Sequence, residues 1–336
     1  MKPDADAGLR LLLGSDGATA RAVAAWDARS AAAFEDVLRQ NVVLVRASER
    51  CRELGSPVPW LEAAAAIERG RIERVIASVG RIAEAMEGEG TGYVFTKALQ
   101  HLPDMGHDID LFVPGDAATV RPVLERAVGA RPGRDSVVSR FAGKQPYVVG
   151  EGAIPLELHR GRLGHFGEHA DLARSLFAHR RRAALAGIEV WVPSPEDHLL
   201  LQVIQRVQAH RRIRVSDVLV TLDLWRSPAL DRTRVMGAAR AAGILGALRW
   251  YLSAVDGLAK RGGAPGLGEA GLAEVSPSAA RPSGYPVPHS VVAPAYTSAF
   301  GADLRAGDLV SAARIAAVPG LALATFIDRR RRKRAR

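Results

Sequence analysis

The residues most suggestive of chemistry are two aspartates in the stretch GHDIDLFV, residues 106–113. Asp108 and Asp110 are separated by one isoleucine, and an apolar run follows them. In a β-strand, residues i and i+2 point to the same face, so a strand here would bring the two carboxylates together. Like charges this close require a compensating cation or a shared proton. A divalent cation such as Mg²⁺, which prefers oxygen ligands, satisfies both carboxylates.

A third carboxylate occurs in the stretch IPLELHRGR, residues 154–162, where Glu157 lies between two leucines. If this stretch is a strand, Glu157 faces away from the leucines and is available as a third metal ligand. Two metal ions held by such carboxylates can stabilise an in-line phosphoryl or nucleotidyl transfer. A simpler interpretation remains open, in which the aspartates cap a turn or face solvent and Glu157 is an exposed edge residue.

The segments around these carboxylates predict the elements that position them. Residues 18–87 carry apolar side chains at helical spacing, and the stretch GEGTG at 88–92 ends this helical part. An amphipathic helix is predicted over Ala117–Val128. Short β-rich segments are predicted at 93–96, 108–113, 136–142, 146–149 and 154–159. The mixture predicts an α/β or α+β core between N-terminal and C-terminal helical regions.

The second half of the sequence returns to a helical pattern. Ser194 is a plausible N-cap, followed by Pro195 at the first helical position. The stretch from Arg261 to Phe300 contains 12 Gly or Pro residues in 40, which predicts a loop or linker.

The stretch YVFTKALQHLPDMGHDIDLFV, followed by LELHRG, resembles the nucleotidyltransferase superfamily with the DNA polymerase β-type palm. It is most similar to a poorly characterised bacterial group in which a lysine-containing strand end precedes DIDLLV and a later strand carries Glu-x-His. The resemblance implies that Asp108, Asp110 and Glu157 bind two Mg²⁺ ions and an NTP. It further implies that Glu157 orients or deprotonates a hydroxyl acceptor, and that Lys97 contacts the triphosphate.

The resemblance also implies an α+β fold, in which a small mixed sheet forms the palm and the helices after it complete the cleft. The regions on either side follow from the helical and Gly/Pro-rich patterns of the sequence. The predicted regions are 1–90 as an N-terminal helical region, 91–193 as the palm, 194–260 as helices completing the cleft, 261–303 as the linker, and 304–336 as a C-terminal helix and basic tail.

The sequence departs from the family in the turn before the aspartates. Well-studied members have a Gly-Ser pair there, which grips phosphate, whereas this chain has FTKALQHLPDMG. Thr96 and Lys97 are the nearest substitutes, and Ala98 stands where the lysine-containing group usually has glycine. His107 could contact phosphate or be an exposed turn residue. The departure favours an alternative function, that of a catalytically impaired nucleotide-binding or regulatory protein.

Several other polar residues have open interpretations. His159 shares the face of Glu157 and could support a metal site from outside its ligand shell, or be an ordinary hydrogen-bonded histidine. A mainly structural role is predicted for His198, His210, Asp217 and Asp223, with lining of an acceptor pocket as the alternative. A solvated helix face is predicted for the clusters Arg180–Arg182 and Arg211, Arg212 and Arg214, with phosphate or nucleic-acid binding as the alternative.

Charge and cysteine content bear on partners and location. The net charge is +10, and seven basic residues lie in Arg329–Arg336. This tail is predicted to be solvated, with nucleic acid or an anionic membrane surface as weaker alternatives. The apolar stretch Ile315–Ile327 is too short to span a membrane and is predicted to be a packed helix. The single cysteine, Cys51, and an N-terminus without the apolar core of a signal peptide predict a cytoplasmic protein.

Overall fold

The computed structural model describes residues 1–15, 17–97, 99–115, 117–134, 136–150, 153–268, 272, 275 and 278–320. Within them the chain forms an α+β fold, a small mixed β-sheet with helices before and after it, as predicted. The basic tail and residues 321–327 of the C-terminal apolar stretch lie outside the described residues, as does Ala98.

The N-terminal part is helical and ends where the sequence predicted. Asp4 and Asp27 cap the first and third helices through their side chains. The long fifth helix begins with a proline, which suits the first helical turn, and it ends at Gly88. The helices are α1 (Ala5–Leu13), α2 (Ala18–Ala24), α3 (Ala28–Gln40), α4 (Leu44–Glu53) and α5 (Pro59–Gly88).

The central sheet has five strands in the spatial order β1-β2-β5-β4-β3. The two central strands, β2 and β5, run parallel, and the other neighbouring pairs run antiparallel. The strands are β1 (Val94–Phe95), β2 (Ile109–Val113), β3 (Arg131–Pro132), β4 (Lys144–Val149) and β5 (Ile154–Arg160). The helix α6 (Ala117–Val128), which follows β2, has the predicted bounds.

Side chains alternate along the two central strands. On β2, Ile109, Leu111 and Val113 are buried in an apolar cluster with side chains of α5 and α6. Because the period of a strand is two, Asp110 points to the opposite face. The same alternation on β5 places Glu157 opposite the two leucines that flank it. One face of the sheet is therefore apolar core, and the other carries the acidic side chains.

The strand predicted over residues 136–142 is wrong, because this segment forms the short helix α7 (Val137–Phe141). Its two adjacent valines favour a strand, but Ser136 precedes them as a capping residue. The Ser136 hydroxyl accepts a hydrogen bond from the Ser139 backbone N–H at 3.0 Å. A capped first turn of this kind favours the helix over the strand.

The second half of the chain is mainly helical and includes a β-hairpin, β6–β7, that was not predicted. Ser194 caps α9 through its side chain, and Pro195 begins that helix, as predicted. The elements are α8 (Asp171–Ala178), β6 (Arg181–Leu185), β7 (Ile188–Val192), α9 (Pro195–Val203), a π-helical turn (Ile204–Ala209), β8 (Arg212–Ile213), α10 (Val215–Arg226), α11 (Arg232–Ala241), α12 (Leu245–Arg261), β9 (Tyr285–Pro286) and α13 (His289–Ala306), followed by helical residues 309–320.

The linker predicted over residues 261–303 is shorter in the structure. β9 pairs with β8, and α13 begins at His289. Eleven of the twelve Gly and Pro residues counted between Arg261 and Phe300 lie before His289. The Gly and Pro content of the whole stretch therefore did not show that its last part forms a helix. No helix among the described residues is long and apolar enough to cross a membrane.

A long-range contact fixes the start of α4. The side chain of Asp104 is buried and accepts hydrogen bonds from the backbone N–H groups of Val45 at 2.7 Å and Arg46 at 3.1 Å. The N-cap residue of α4, Val43, has no side chain that could do this. Asp104 therefore caps a helix that lies almost 60 residues earlier in the chain.

We expect Asp104→Ala to lower the free energy of unfolding by about 1–3 kcal/mol, because it leaves two buried N–H groups without an acceptor. Chemical denaturation followed by circular dichroism measures the change. Asp36→Ala, at an exposed position of α3, is the matched control and should change stability by less than about 0.5 kcal/mol. Equal stability of the wild type and Asp104→Ala would contradict the capping role.

Candidate functional site

A cavity of about 260 Å³ lies between the polar face of the sheet and the helical second half of the chain. Its two sides differ in chemistry, because the sheet contributes carboxylates and lysines and the helical part contributes arginines and histidines. The lining residues are Lys97, His101, Gly106, Asp108, Asp110, Lys144, Glu157, His159, Leu163, Gly164, His165, Leu201, Gln205, Arg206, Ala209, His210 and Arg214.

The acidic side is built on the parallel pair of central strands. Asp110 on β2 is the register partner of Glu157 on β5, so the two carboxylates lie side by side on one face. His159 follows on the same face of β5, and its Nε2 lies 3.1 Å from Asp110 Oδ1 and 3.1 Å from Glu157 Oε2. Since both neighbours are carboxylate oxygens, Nε2 carries the proton and donates it to them. His159 therefore holds the two carboxylates together.

Two lysines flank this pair. Lys97, just after β1, places its Nζ 2.5 Å from Asp110 Oδ1. Lys144, the first residue of β4, places its Nζ 3.0 Å from Glu157 Oε2. Since the strand order is β1-β2-β5-β4, each central strand supplies a carboxylate, and the matching lysine lies on the neighbouring strand β4 or just after the neighbouring strand β1.

These contacts decide the charge states on the acidic side. Burial alone would raise the pKa of Asp110, but the charge of Lys97 and the hydrogen bond from His159 outweigh it and hold that pKa below the ordinary value. Burial also opposes ionisation of Glu157, yet His159, Lys144 and Lys97 hold its pKa far below the ordinary value. Burial would lower the pKa of Lys97, but the nearby carboxylates raise it. At neutral pH, both carboxyl groups are ionised and Lys97 is charged.

Asp108 lies at the mouth of the same cavity, one residue before β2 begins, and is exposed to solvent. The negative charge of Asp110 is the largest cause that raises the pKa of Asp108, so the two aspartates interact as like charges. The group of side chains whose potential ligand atoms lie within 4.8 Å of one another consists of Asp110, Glu157 and His159. His159, which the sequence placed outside the ligand shell, is therefore central to this group, and Asp108 is peripheral to it.

Thr96 and His107, which the sequence also predicted to bind phosphate, lie away from the cavity lining. Thr96 is fully buried, and its backbone N–H donates to the Asp110 carbonyl at 3.0 Å. His107 is exposed. Neither lines the cavity in the described part of the chain. His198 and Asp223 do not line this cavity but a second one, together with Arg46 and Arg181.

The opposite side of the cavity is basic, and we call Arg206, His210 and Arg214 the basic wall. Arg206 is 4% exposed and was not singled out in the sequence. Its Nε lies 2.8 Å from Oδ2 of Asp217, which is fully buried. Burial, then the charges of Arg206 and Lys97, lower the pKa of His210 to about 2, so this imidazole is neutral. The sequence signal for part of the wall is the four-residue spacing of Arg206 and His210, which would put two side chains on one face of an α-helix.

The acidic side has the chemistry of a divalent-cation site. Asp110 and Glu157 provide ionised oxygens on neighbouring strands, and Asp108 offers a third carboxylate at the mouth. Mg²⁺ binds through one or two carboxylates and keeps positions for water and substrate phosphates, so these residues fit it. The Nε2 proton of His159, directed at both carboxylates, suits a supporting role outside the ligand shell. Lys97 and His159 both contact Oδ1 of Asp110, so a metal ion would share this carboxylate with them.

We expect His159→Gln to weaken Mn²⁺ or Mg²⁺ binding about 10- to 100-fold, because it removes the group that holds Asp110 and Glu157 together. Isothermal titration with each metal measures the affinity. His169→Gln is the matched control, since His169 is also buried and hydrogen-bonded, to Gln208 at 2.8 Å, but lies outside the cavity. An unchanged metal affinity in the folded His159→Gln protein would contradict the supporting role.

Comparison with protein-family models gives no match, and comparison with curated proteins gives no significant one. Among solved structures, the solution structure of the antibiotic-resistance factor ANT(2'')-Ia, an aminoglycoside nucleotidyltransferase, is matched with a TM-score of 0.36 and 16% sequence identity. The match covers 51% of this chain and 91% of that chain. At this score the likeness is distant.

Proposed function

We propose that the chain is a Mg²⁺-dependent nucleotidyltransferase, which moves a nucleoside monophosphate from an NTP to an acceptor hydroxyl and releases pyrophosphate. The observation that carries the proposal is the pair of ionised carboxylates, Asp110 and Glu157, side by side on parallel strands and facing a cavity with Lys97. The sequence motif around Asp108 and Asp110, which resembles that of the polymerase β-type palm, supports the same reaction.

The residues of the acidic side take distinct roles in this proposal. Asp108, Asp110 and Glu157 hold two Mg²⁺ ions, which when bound neutralise the charge of the phosphates. Lys97, which contacts one oxygen of Asp110, donates hydrogen bonds to the triphosphate. Glu157 also orients the acceptor hydroxyl for in-line attack.

The bond changes follow from this arrangement. The acceptor oxygen forms a bond to the α-phosphorus, the bond from that phosphorus to the bridging oxygen breaks, and pyrophosphate leaves. The proton of the acceptor hydroxyl passes to solvent. The protein contributes mainly position and electrostatic stabilisation, because the reaction needs no covalent bond to the enzyme.

The proposed organisation assigns residues 91–193 to the palm and 194–260 to the helices that close the cavity over it. The region 1–90 packs against the apolar side of the sheet through α5. We propose a cytoplasmic location, with which the single buried cysteine is compatible. An NTP and a hydroxyl compound are the proposed partners, while nucleic acid or a membrane surface would involve the basic tail.

A second candidate is a nucleotide-binding or regulatory protein without transferase activity. Lys97 Nζ and His159 Nε2 both contact the same oxygen of Asp110, which neutralises this carboxylate without a metal ion. The turn before the aspartates also lacks the Gly-Ser pair of well-studied family members. A protein of this kind would bind nucleotide but transfer nothing.

Nucleotide binding tests the part that the two candidates share. Titration with a non-hydrolysable analogue, α,β-methylene ATP or its GTP counterpart, should show binding in the presence of Mg²⁺ and at least tenfold weaker binding in EDTA. Binding that persists unchanged in EDTA would exclude the first candidate, and absence of binding with and without Mg²⁺ would exclude both. An assay of nucleotide transfer then distinguishes the two candidates, because only the first is expected to transfer the nucleotide.

A further inference from the structure

The basic wall contains charged donors that the protein itself does not satisfy. Arg206 is almost fully buried, and its Nη1 has no hydrogen-bond partner among the described residues. The Nε of Arg214 likewise has no partner in the described part of the chain. Leaving buried guanidinium donors unpaired is costly, and such groups in a cavity are expected to find their partner in a ligand.

The charges around the wall point to an anionic ligand. Asp217 is the carboxylate that meets the wall directly, and it contacts Arg206 through Oδ2 at 2.8 Å and the backbone N–H of Arg214 at 2.7 Å. Across the cavity, Asp110 and Glu157 are already matched with lysines. Asp108 also acts on Arg214 electrostatically, but under the proposed function it binds metal. Among the described residues, one buried carboxylate, Asp217, then remains to balance the two guanidinium groups of the wall, which leaves positive charge in excess.

The backbone presents the wall through an unusual turn. Residues Ile204–Ala209 form a π-helical turn between α9 and β8, and Gln205 and Arg206 on this turn line the cavity. π-Helical turns are rare and occur frequently at functional sites. The helix is thus distorted at the point where its buried arginine meets the cavity.

We infer that the basic wall binds an anionic group of the acceptor, so that the acceptor is a hydroxyl compound that also carries a phosphate or carboxylate. This inference rests on the proposed function. In an in-line transfer, the acceptor and the leaving pyrophosphate lie on opposite sides of the α-phosphorus. Lys97 on the sheet side contacts the triphosphate, which leaves the arginines opposite it for the acceptor. A guanidinium group can bind two oxygens of a phosphate or carboxylate at once.

The probe for this site is inorganic phosphate, titrated into protein saturated with Mg²⁺ and a non-hydrolysable NTP analogue. We expect phosphate to bind alongside the analogue. Arg214→Gln should weaken this binding at least about tenfold, because it removes a charged donor. Arg206→Lys should weaken it similarly while keeping a cation opposite Asp217, so it tests the guanidinium without leaving that carboxylate unpaired.

The matched control is Arg212→Gln, which removes the same charge two residues from Arg214 at a position that does not line the cavity. It should change phosphate affinity less than about twofold. Phosphate binding that is absent, or that weakens equally in Arg212→Gln, would overturn the inference. Displacement of phosphate by the analogue would also overturn it, because the wall would then belong to the triphosphate.

The same titrations distinguish failure of the proposed function from failure of the acceptor inference. If the wild type binds no analogue, the nucleotidyltransferase proposal fails, and the assignment to an acceptor fails with it. Phosphate binding by metal-free protein that depends on Arg214 would then still identify the wall as an anion site. If instead the analogue binds but phosphate does not, the proposed function stands and only the acceptor inference is lost.

Discussion

Replacing Asp110 with asparagine is expected to reduce nucleotidyl transfer on the order of 1,000-fold. The carboxylate lies at the centre of the acidic side, 2% exposed and in contact with both Lys97 and His159. Asparagine keeps its shape but removes the charge that would hold a metal ion. A loss of about 4 kcal/mol of transition-state stabilisation corresponds to this factor.

The measurement is the initial rate of nucleotide transfer at saturating Mg²⁺, with thermal unfolding to confirm that the variant is folded. Asp36→Asn, at an exposed position of α3, removes the same charge far from the site and should leave the rate unchanged. A folded Asp110→Asn protein with the wild-type rate would show that Asp110 is not a metal ligand.

The second large effect is expected at Lys97. Replacing it with methionine keeps the length of the side chain but removes the ammonium group proposed to contact the triphosphate. Loss of one charge-assisted hydrogen bond corresponds to about 1.5–3 kcal/mol, so we expect KM for the NTP to rise about 10- to 100-fold. Lys97→Arg, which keeps the charge, should recover part of this loss.

Steady-state kinetics with the NTP as the varied substrate measure the effect. Lys260→Met is the matched control, because Lys260 pairs with Asp256 on α12 away from the cavity. An effect of Lys97→Met on thermal stability alone, with KM unchanged, would assign Lys97 to neutralising Asp110 and not to binding nucleotide.

The strand faces that carry Asp110 and Glu157 could be predicted from the sequence, because alternation along a strand is local information. Alternation along a strand fixes which face Glu157 occupies once the strand is recognised, and the structure shows β5 over Ile154–Arg160. The approach of β5 to β2 came from the resemblance to a palm fold and not from periodicity. The observed register, with Asp110 opposite Glu157, agrees with that expectation.

What the sequence did not show depends on contacts between distant segments. The basic wall forms because the turn after α9 folds over the sheet. Arg206 therefore lines a cavity together with residues of strands that lie about 50 and 100 residues earlier in the chain. The cap that Asp104 provides to α4 spans a similar distance. The central position of His159 could not be deduced either, because it depends on the side chain of Asp110 on the neighbouring strand.

The central claim is that the nucleotide, and not the terminal phosphoryl group, is transferred. The most direct test compares NTPs labelled at the α-phosphate or the γ-phosphate, incubated with purified protein, Mg²⁺ and a cell extract as the source of acceptor. We expect label from the α-position to become attached to an acceptor, label from the γ-position to appear in pyrophosphate, and both to be lost in EDTA and in Asp110→Asn. Attachment of γ-label to the acceptor, or no attachment with any NTP, would contradict the proposed function.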